Sequence, residues 1–480
     1  MNYEERKNYI YNLLYRLSII ILPLAVTPYV ARVLGAEQVG LYAFSSTVAC
    51  YFIMFAKLGL DNYGNRSIAS CRDDIKERSR VFWGIFVLQM ITSLISIVIY
   101  VLLTLTVFDN NPLIYWLQLI YVCSALFDFS WFFYGMEKFR ITSIRSVIAR
   151  IIILILVYVF VKSDQDLYIY TGIMAGCFLF EQLQLLPFLF KHVKKVSIKK
   201  EDVIRHIIPN IKLFIPLLAL SIYNFMDKIM LGVIIGSTAV VAFYTYAENI
   251  INLPKGILSA LDAVMLPRIS NLVANNHEEE GIGKMRGSVR FNSFISCALC
   301  FGIIGISPSF VPWFLGPEFE PTVALTMKLA IVIIPISITN VIQTQYLIPF
   351  NKENIYIKAV GLGALTNLLM NLALIPSYGA SGAIIGTLIA ELLVCGYQIL
   401  CIRNIYSFGQ VSAMLLPFLI CGIFELLAIN LLSFLSINTL PLLIIQVTMG
   451  AIVYLIGCAF YFINIKKEFS SMRDLINSIK

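Results

Sequence analysis

The chain has 480 residues, 59% hydrophobic and 13% charged, with a mean hydropathy of +0.83 and a formal net charge of +8. This balance excludes a soluble globular domain. A spanning helix needs about 20 apolar residues, and the apolar content suffices for roughly fourteen. The long unbroken apolar runs also exclude a membrane β-barrel, which would show short alternating segments.

The runs predict helices over residues 9–30, 38–57, 82–106, 113–133, 142–161 and 167–190, then 207–230, 238–260, 290–314, 321–347, 355–375 and 380–401, and finally 411–435 and 441–463. The expected fold class is an all-α polytopic membrane protein of about 14 transmembrane helices. The basic residues orient it. Connections after odd-numbered helices, such as FDNNP, KSDQD and LGPEFEP, are short, and among them only Arg32 and Lys162 are basic. Most of the 36 Lys and Arg lie in the even-numbered connections and at the termini, so both termini are expected on the cytoplasmic side. The net charge expresses this asymmetry rather than affinity for nucleic acid, and the basic loops suit anionic lipid headgroups. The opening MNYEERKNYIYNLLYR lacks a small-residue cleavage site after the apolar run, so the first helix is read as retained. No outer connection is long enough for a folded domain, which leaves any function to the bundle itself.

An internal repeat divides the bundle. LGAEQVGLY (Leu34–Tyr42) between the first two helices matches IGSTAVVAF (Ile235–Phe243) between the seventh and eighth, aligning Gly35 with Gly236 and Val39 with Val240. Six helices intervene, so the repeat is parallel, about an axis along the membrane normal. The expected organisation is an N-lobe over residues 1–190, a basic cytoplasmic linker over 191–206, a C-lobe over 207–403, and two further helices with a cytoplasmic tail over 404–480.

Ionisable residues interrupt the apolar runs. A charge at a helix centre costs roughly 2.5–3.5 kcal/mol on insertion scales, so these side chains are expected to face a polar interior. Arg16 lies in the first helix and Lys328 in the tenth. Lys57 and Asp61 close the second helix four residues apart and can pair. Asp128, Trp131 and Gly135 share one face if their helix is continuous, and Asp128 falls in the inner third of the bilayer. Glu181, Lys212, Asp227, Lys228, Glu248, Lys255, Glu391 and Glu425 complete the set, with Glu425 read as structural. Asp227 and Lys228 are adjacent and point to different faces. The pattern describes a central cavity holding cations and acids. It suits an anionic substrate, with acids that can exchange H⁺ or Na⁺. Cys297 and Cys300 form a CxxC inside an apolar run and are read as packing, the ten cysteines as free, and His192, His206 and His277 as surface residues. No metal, cofactor or catalytic constellation is expected, and the chain is not read as an enzyme.

The stretch D-x-S-W-F-F-Y-G-x-E-K-F from Asp128 to Phe139 resembles the fourth-helix motif of bacterial polysaccharide repeat-unit flippases of the Wzx type. Pro28 to Tyr42, DKIMLG from Asp227, and YGASGAIIGTLIAE from Tyr378 to Glu391 look like the same family. The resemblance implies membership of the multidrug/oligosaccharidyl-lipid/polysaccharide exporter superfamily, with two six-helix lobes plus two C-terminal helices in the bacterial cytoplasmic membrane. The implied function is translocation of a polyprenyl-pyrophosphate-linked oligosaccharide for surface polysaccharide (O-antigen or capsule) biosynthesis. Arg16, Arg32, Lys57 and Lys328 would then attract pyrophosphate or acidic sugars, and Asp61, Asp128, Asp227, Lys228, Glu248 and Glu391 would act in coupling or gating. Membrane lipids are implied partners. The coupling ion, H⁺ or Na⁺, and a polymerase complex stay open. The alternatives are a peptidoglycan-precursor lipid flippase and a cation-coupled multidrug antiporter of the same superfamily.

Overall fold

The computed structural model describes the backbone of residues 3–108, 111–435 and 437–465, and side chains within 24–463 apart from 109, 110, 219, 220, 222–224, 260, 263 and 436. Helices follow one another in chain order: α1 Tyr3–Lys57, α2 Leu60–Ser70, α3 Ile75–Thr106, α4 Pro112–Ser124, α5 Ser130–Gly135, α6 Phe139–Phe160, α7 Leu167–Leu183, α8 Leu186–Leu189, α9 Lys200–Ile204, α10 Ile207–Ile235, α11 Thr238–Ala274, α12 Glu278–Leu315, α13 Pro321–Ala330, α14 Ile333–Ile342, α15 Glu353–Cys401, α16 Phe408–Leu432 and α17 Thr439–Phe460. Among the described residues there is no strand, and eleven helical stretches are long and apolar enough to cross a membrane. In lipid only internally satisfied backbone can span, so the chain is an all-α multi-pass membrane protein.

The expected connections are narrower than the sequence suggests. Residues 31–38 contract to one left-handed turn at Gly35 (φ 75°, ψ 171°) inside α1, and PSYGASG contracts to Gly379 (φ 54°, ψ −134°) inside α15. Glycine alone enters such conformations without strain. Gly236, the repeat partner of Gly35, also has positive φ (69°), but its ψ is 3° against 171° at Gly35, so the matched positions share the need for glycine and not one backbone conformation. The stretch 268–290, expected to be a loop, is helical except around Asn275–His277. α12 has 38 residues, about 57 Å at 1.5 Å per residue, and runs well past a hydrocarbon core of about 30 Å.

The chain divides into two compact units, residues 1–232 with 236–242, and residues 233–235 with 243–480. Most of α10 therefore belongs to the first unit. There the backbone carbonyl of Asn210 comes so near Gly59 that a Cβ would lie 2.6 Å from it. The linker over 191–206 is fastened to the same unit. Arg78 Nη2 donates to the His192 carbonyl at 2.7 Å, Trp83 Nε1 donates to the Lys194 carbonyl at 3.0 Å, and Lys194 N donates to Ser79 Oγ at 3.0 Å. His206 is buried rather than on the surface, with Nδ1 2.6 Å from the Tyr63 hydroxyl. Burial and the adjacent Arg205 push its imidazole down to about 4.

Candidate functional site

Two helix breaks meet in the first unit. The first follows Lys57. Leu58 adopts a left-handed conformation (φ 50°), Gly59 caps the next helix, and α2 starts at Leu60. The second lies in the expected helix over 113–133, which is not continuous. α4 ends at Ser124, a 3₁₀ turn covers Ala125–Phe127, Asp128 is extended (φ −80°, ψ 95°), and α5 starts at Ser130. Asp128, Trp131 and Gly135 therefore do not form one helical stripe. Asp128 Oδ1 accepts from Ser130 N at 3.0 Å and from the Ser130 hydroxyl. This i→i+2 bond closes an Asx turn just ahead of α5, whose N-cap is Phe129.

Lys57 bridges the breaks. Its Nζ lies 2.6 Å from Asp128 Oδ2 and 2.7 Å from Asp61 Oδ1. The Lys57 and Asp128 side chains are 16% and 11% exposed, whereas Asp61 is 56% exposed. The sequence-level pairing of Lys57 with Asp61 is thus present, and the buried partner is Asp128. Lys57 closes a helix C-terminus, where the backbone dipole favours a cation, and Asp128 sits at a helix start, where it favours an anion.

The network continues through Arg145 on α6. Its Nη2 donates to Ser130 Oγ at 2.6 Å, and its Nη1 donates to the Glu181 carbonyl at 2.9 Å and to Gln182 Oε1 at 2.8 Å. Beside it, Ser146 hydrogen-bonds the Glu181 carboxylate. Gln89 of α3 ties down the broken backbone, donating to the carbonyls of Ala125 (2.7 Å) and Asp128 (3.1 Å) and accepting from Trp131 Nε1 at 3.1 Å. Trp131 stacks on Phe82 with ring centroids 5.6 Å apart and lies against Gly64, where a Cβ would sit 2.5 Å from the ring. Gly135 lies against Asn65 and Ile68 in the same way. The α2–α5 contact therefore needs small residues on both sides.

Of the sequence-predicted site residues, Lys57, Asp61 and Asp128 come together. The Arg16 side chain lies outside the described residues. Arg32 is exposed close to the Gly35 turn. Asp227 is buried, and the neighbouring Lys228 lies 5.9 Å from the Phe225 ring centroid. In the second unit, Lys328 is exposed and donates to Ser381 Oγ at 2.8 Å, Glu248 is half-buried, and Glu391 is buried.

Arg145, Gln89 and Asp262 escaped the sequence reading. Arg145 ends a basic stretch that reads as a cytoplasmic connection, and Asp262 lies two residues beyond the expected helix over 238–260. Gln89 carried a usable signal, a lone amide inside an apolar run. Among the described residues no group of three His, Cys, Asp or Glu is placed to hold a metal ion.

The family described as "Polysaccharide biosynthesis protein" matches residues 6–273, more than half of the chain. The chain belongs to that family. Two curated relatives match it along nearly their whole length. A "Putative O-antigen transporter" of Escherichia coli (strain K12) is 27% identical over 83% of this chain and 97% of its own. A "Putative O-antigen transporter" of Shigella dysenteriae is 23% identical over 79% and 96%. Among solved structures, the fold of this polysaccharide biosynthesis family member is similar to "Lipid II flippase MurJ, inward closed conformation", with TM-score 0.77, 15% identity, and 95% of this chain and 99% of that one covered. It is also similar to the inward-facing conformation of a multidrug resistance MATE family transporter of the MOP superfamily, with TM-score 0.60, 15% identity, and coverage of 83% and 98%. The fold is thus similar to that of these solved transporters.

Proposed function

We propose that the protein is a flippase that carries polyprenyl-pyrophosphate-linked oligosaccharide repeat units across the bacterial cytoplasmic membrane by alternating access, for surface polysaccharide biosynthesis. The observation that carries this reading is the match to two putative O-antigen transporters over 97% and 96% of their lengths. The superfamily fold supports it. So does a charge network built on discontinuous helices, the arrangement transporters use at sites that move ions and anionic substrates. In this reading the chain spans the membrane fourteen times with both termini cytoplasmic, in the lobes 1–190 and 207–403 with the linker 191–206 and the appended 404–480.

The geometry divides the roles of the charged residues. Lys57 already satisfies two carboxylates, so it serves best as the centre of an inner latch with Asp61 and Asp128, held by Arg145 through Ser130. A pyrophosphate would bind Lys57 only by displacing an acid, and that would couple binding to opening. Arg16, Arg32 and Lys328 are the proposed substrate cations. Asp227, Lys228, Glu248 and Glu391 are the proposed coupling and gating groups, with H⁺ or Na⁺ as the coupling ion and a polymerase as a partner in the membrane.

The test is deletion in the host. Loss of surface glycan with accumulation of its lipid-linked repeat unit on the cytoplasmic leaflet, reversed by the plasmid-borne chain, is expected. The fold similarity to a lipid II flippase favours one second reading, transport of a peptidoglycan precursor. Under it, depletion would cause lysis and accumulation of that precursor instead.

A further inference from the structure

The second unit buries a carboxylate that none of the roles above uses. Asp262 on α11 is 2% exposed. Its Oδ1 accepts from Asn292 Nδ2 of α12 at 3.0 Å and from Gln345 Nε2 at 3.2 Å. Among the described residues its Oδ2 has no hydrogen-bond partner, and neither does Gln345 Oε1; Asn292 and Gln345 are each 1% exposed. Two buried oxygens thus stand unsatisfied at one place, an arrangement that costs free energy unless something at the site satisfies them. Gln345 lies in a single π-helical turn, Gln343–Leu347, a distortion that proteins keep at functional positions.

The repeat shows why this acid differs from its counterpart. The spacing that takes Gly35 to Gly236 takes Asp61 to Asp262 and Lys57 to Leu258. Asn292 stands as far from the start of α12 as Gln89 does from the start of α3, so both units place an amide at this depth. The first unit keeps the cation, and the second replaces it with leucine.

The charged groups on the elements packed around Asp262 are engaged or directed elsewhere. Lys284 pairs with Glu280, Arg286 donates to the Ile405 carbonyl, Arg290 lies over the Phe462 ring, and Lys352 donates to the Tyr346 hydroxyl. On α11 itself Glu248 and Lys255 each have a partner of their own, and Arg268 is exposed.

We infer that Asp262, set between Asn292 and Gln345, is a proton-exchange site of the second unit. A buried carboxylate that meets no counter-charge among the described residues is neutralised most cheaply by a proton. A proton needs one acceptor, Oδ2, whereas a metal cation needs a shell of oxygens, and the two unsatisfied here are too few. On release the Oδ2–H bond breaks, the proton passes to water, and the carboxylate keeps both amide hydrogen bonds on Oδ1. On loading the same steps reverse. The inference rests on the flippase reading for its purpose, proton coupling, but its chemistry can be tested separately.

The experiment is infrared difference spectroscopy of the purified full chain in lipid nanodiscs, titrated with acid and base in Na⁺ and in K⁺ buffers. The Glu425→Gln background removes another buried carboxyl. A protonated-carboxyl band that titrates reversibly and disappears in Asp262→Asn is expected. Gln345→Leu, which leaves the carboxyl in place, is expected to keep the band and move its midpoint. In cells, Asp262→Asn is expected to lower glycan display at least tenfold at unchanged abundance. A band retained in Asp262→Asn, no titrating band in the wild type, or a band abolished by Na⁺ at constant pH would each overturn the inference. Those results leave the flippase reading standing, because its own test is the intermediate that accumulates on deletion.

Discussion

Replacing Lys57 by Met removes the cation from between Asp128 and Asp61 while keeping most of the side-chain volume. Asp128 is the acid that suffers, because its side chain is 11% exposed and its Oδ2 sits 2.6 Å from Nζ. Removing one partner of a buried pair costs about 3–5 kcal/mol, since the remaining charge is stranded. Asp128 keeps its Ser130 bonds on Oδ1, so the lower end, about 3 kcal/mol, is expected for Lys57→Met. Asp61 is 56% exposed, and Asp61→Asn should cost under about 1 kcal/mol. Asn at 128 removes the stranded charge and can still accept from Ser130 N, so Lys57→Met with Asp128→Asn should lose less than the sum of the single changes, by roughly 1–3 kcal/mol. Denaturation in detergent followed by tryptophan fluorescence suits the cycle, because Trp131 lies three residues from the break. Additive single changes, or a Lys57→Met protein within about 0.5 kcal/mol of wild type, would refute the idea that a buried Lys57–Asp128 pair holds the two breaks together.

Alanine at Gly64 puts a Cβ 2.5 Å from the ring of Trp131, which is fixed by Phe82 and Gln89; a loss of about 1–3 kcal/mol is expected, read as a lower melting temperature in detergent. For His206 the folded-state value, about 4, lies below its ordinary 6.5. The unfolded chain therefore takes up the proton first, and the contribution present above pH 6.5 is lost as pH falls towards 4. His206→Gln should flatten the fall in melting temperature between pH 7 and pH 5, and an unchanged fall would remove His206 from the account. A reporter enzyme fused after Lys480 should be active on the cytoplasmic side, and activity on the outer side would break the fourteen-span topology.

Much of the site was visible before folding. The spacing of Lys57 and Asp61 alone predicts a pair, and Asp128 stands out as an acid in an apolar run. Their meeting was not visible, because it depends on two helix breaks that hydropathy does not register. Nothing in Leu58 marks a left-handed turn, and nothing in Phe127–Asp128–Phe129 marks the end of a helix. Arg145 looked like one more cytoplasmic cation, since position along the sequence does not say whether a side chain turns inward. His206 looked exposed because its neighbours are charged, yet the linker is strapped down and Tyr63 covers it.

The sequence by itself determined the solvent. Apolar runs of bilayer length admit only helices, and the lopsided Lys and Arg set an expected orientation, because both follow from transfer free energies that depend on composition. It also carried the repeat, visible as two matched glycines that both take positive φ. Only the tertiary structure decided which acids meet a cation. Asp61, Asp128 and Asp262 are chemically the same in the sequence. Lys57 answers the first two, and across the repeat Leu258 stands where the third would need its lysine. Whether a buried charge is compensated depends on what lies within a few ångströms in space, and hydropathy along the chain carries no record of that distance.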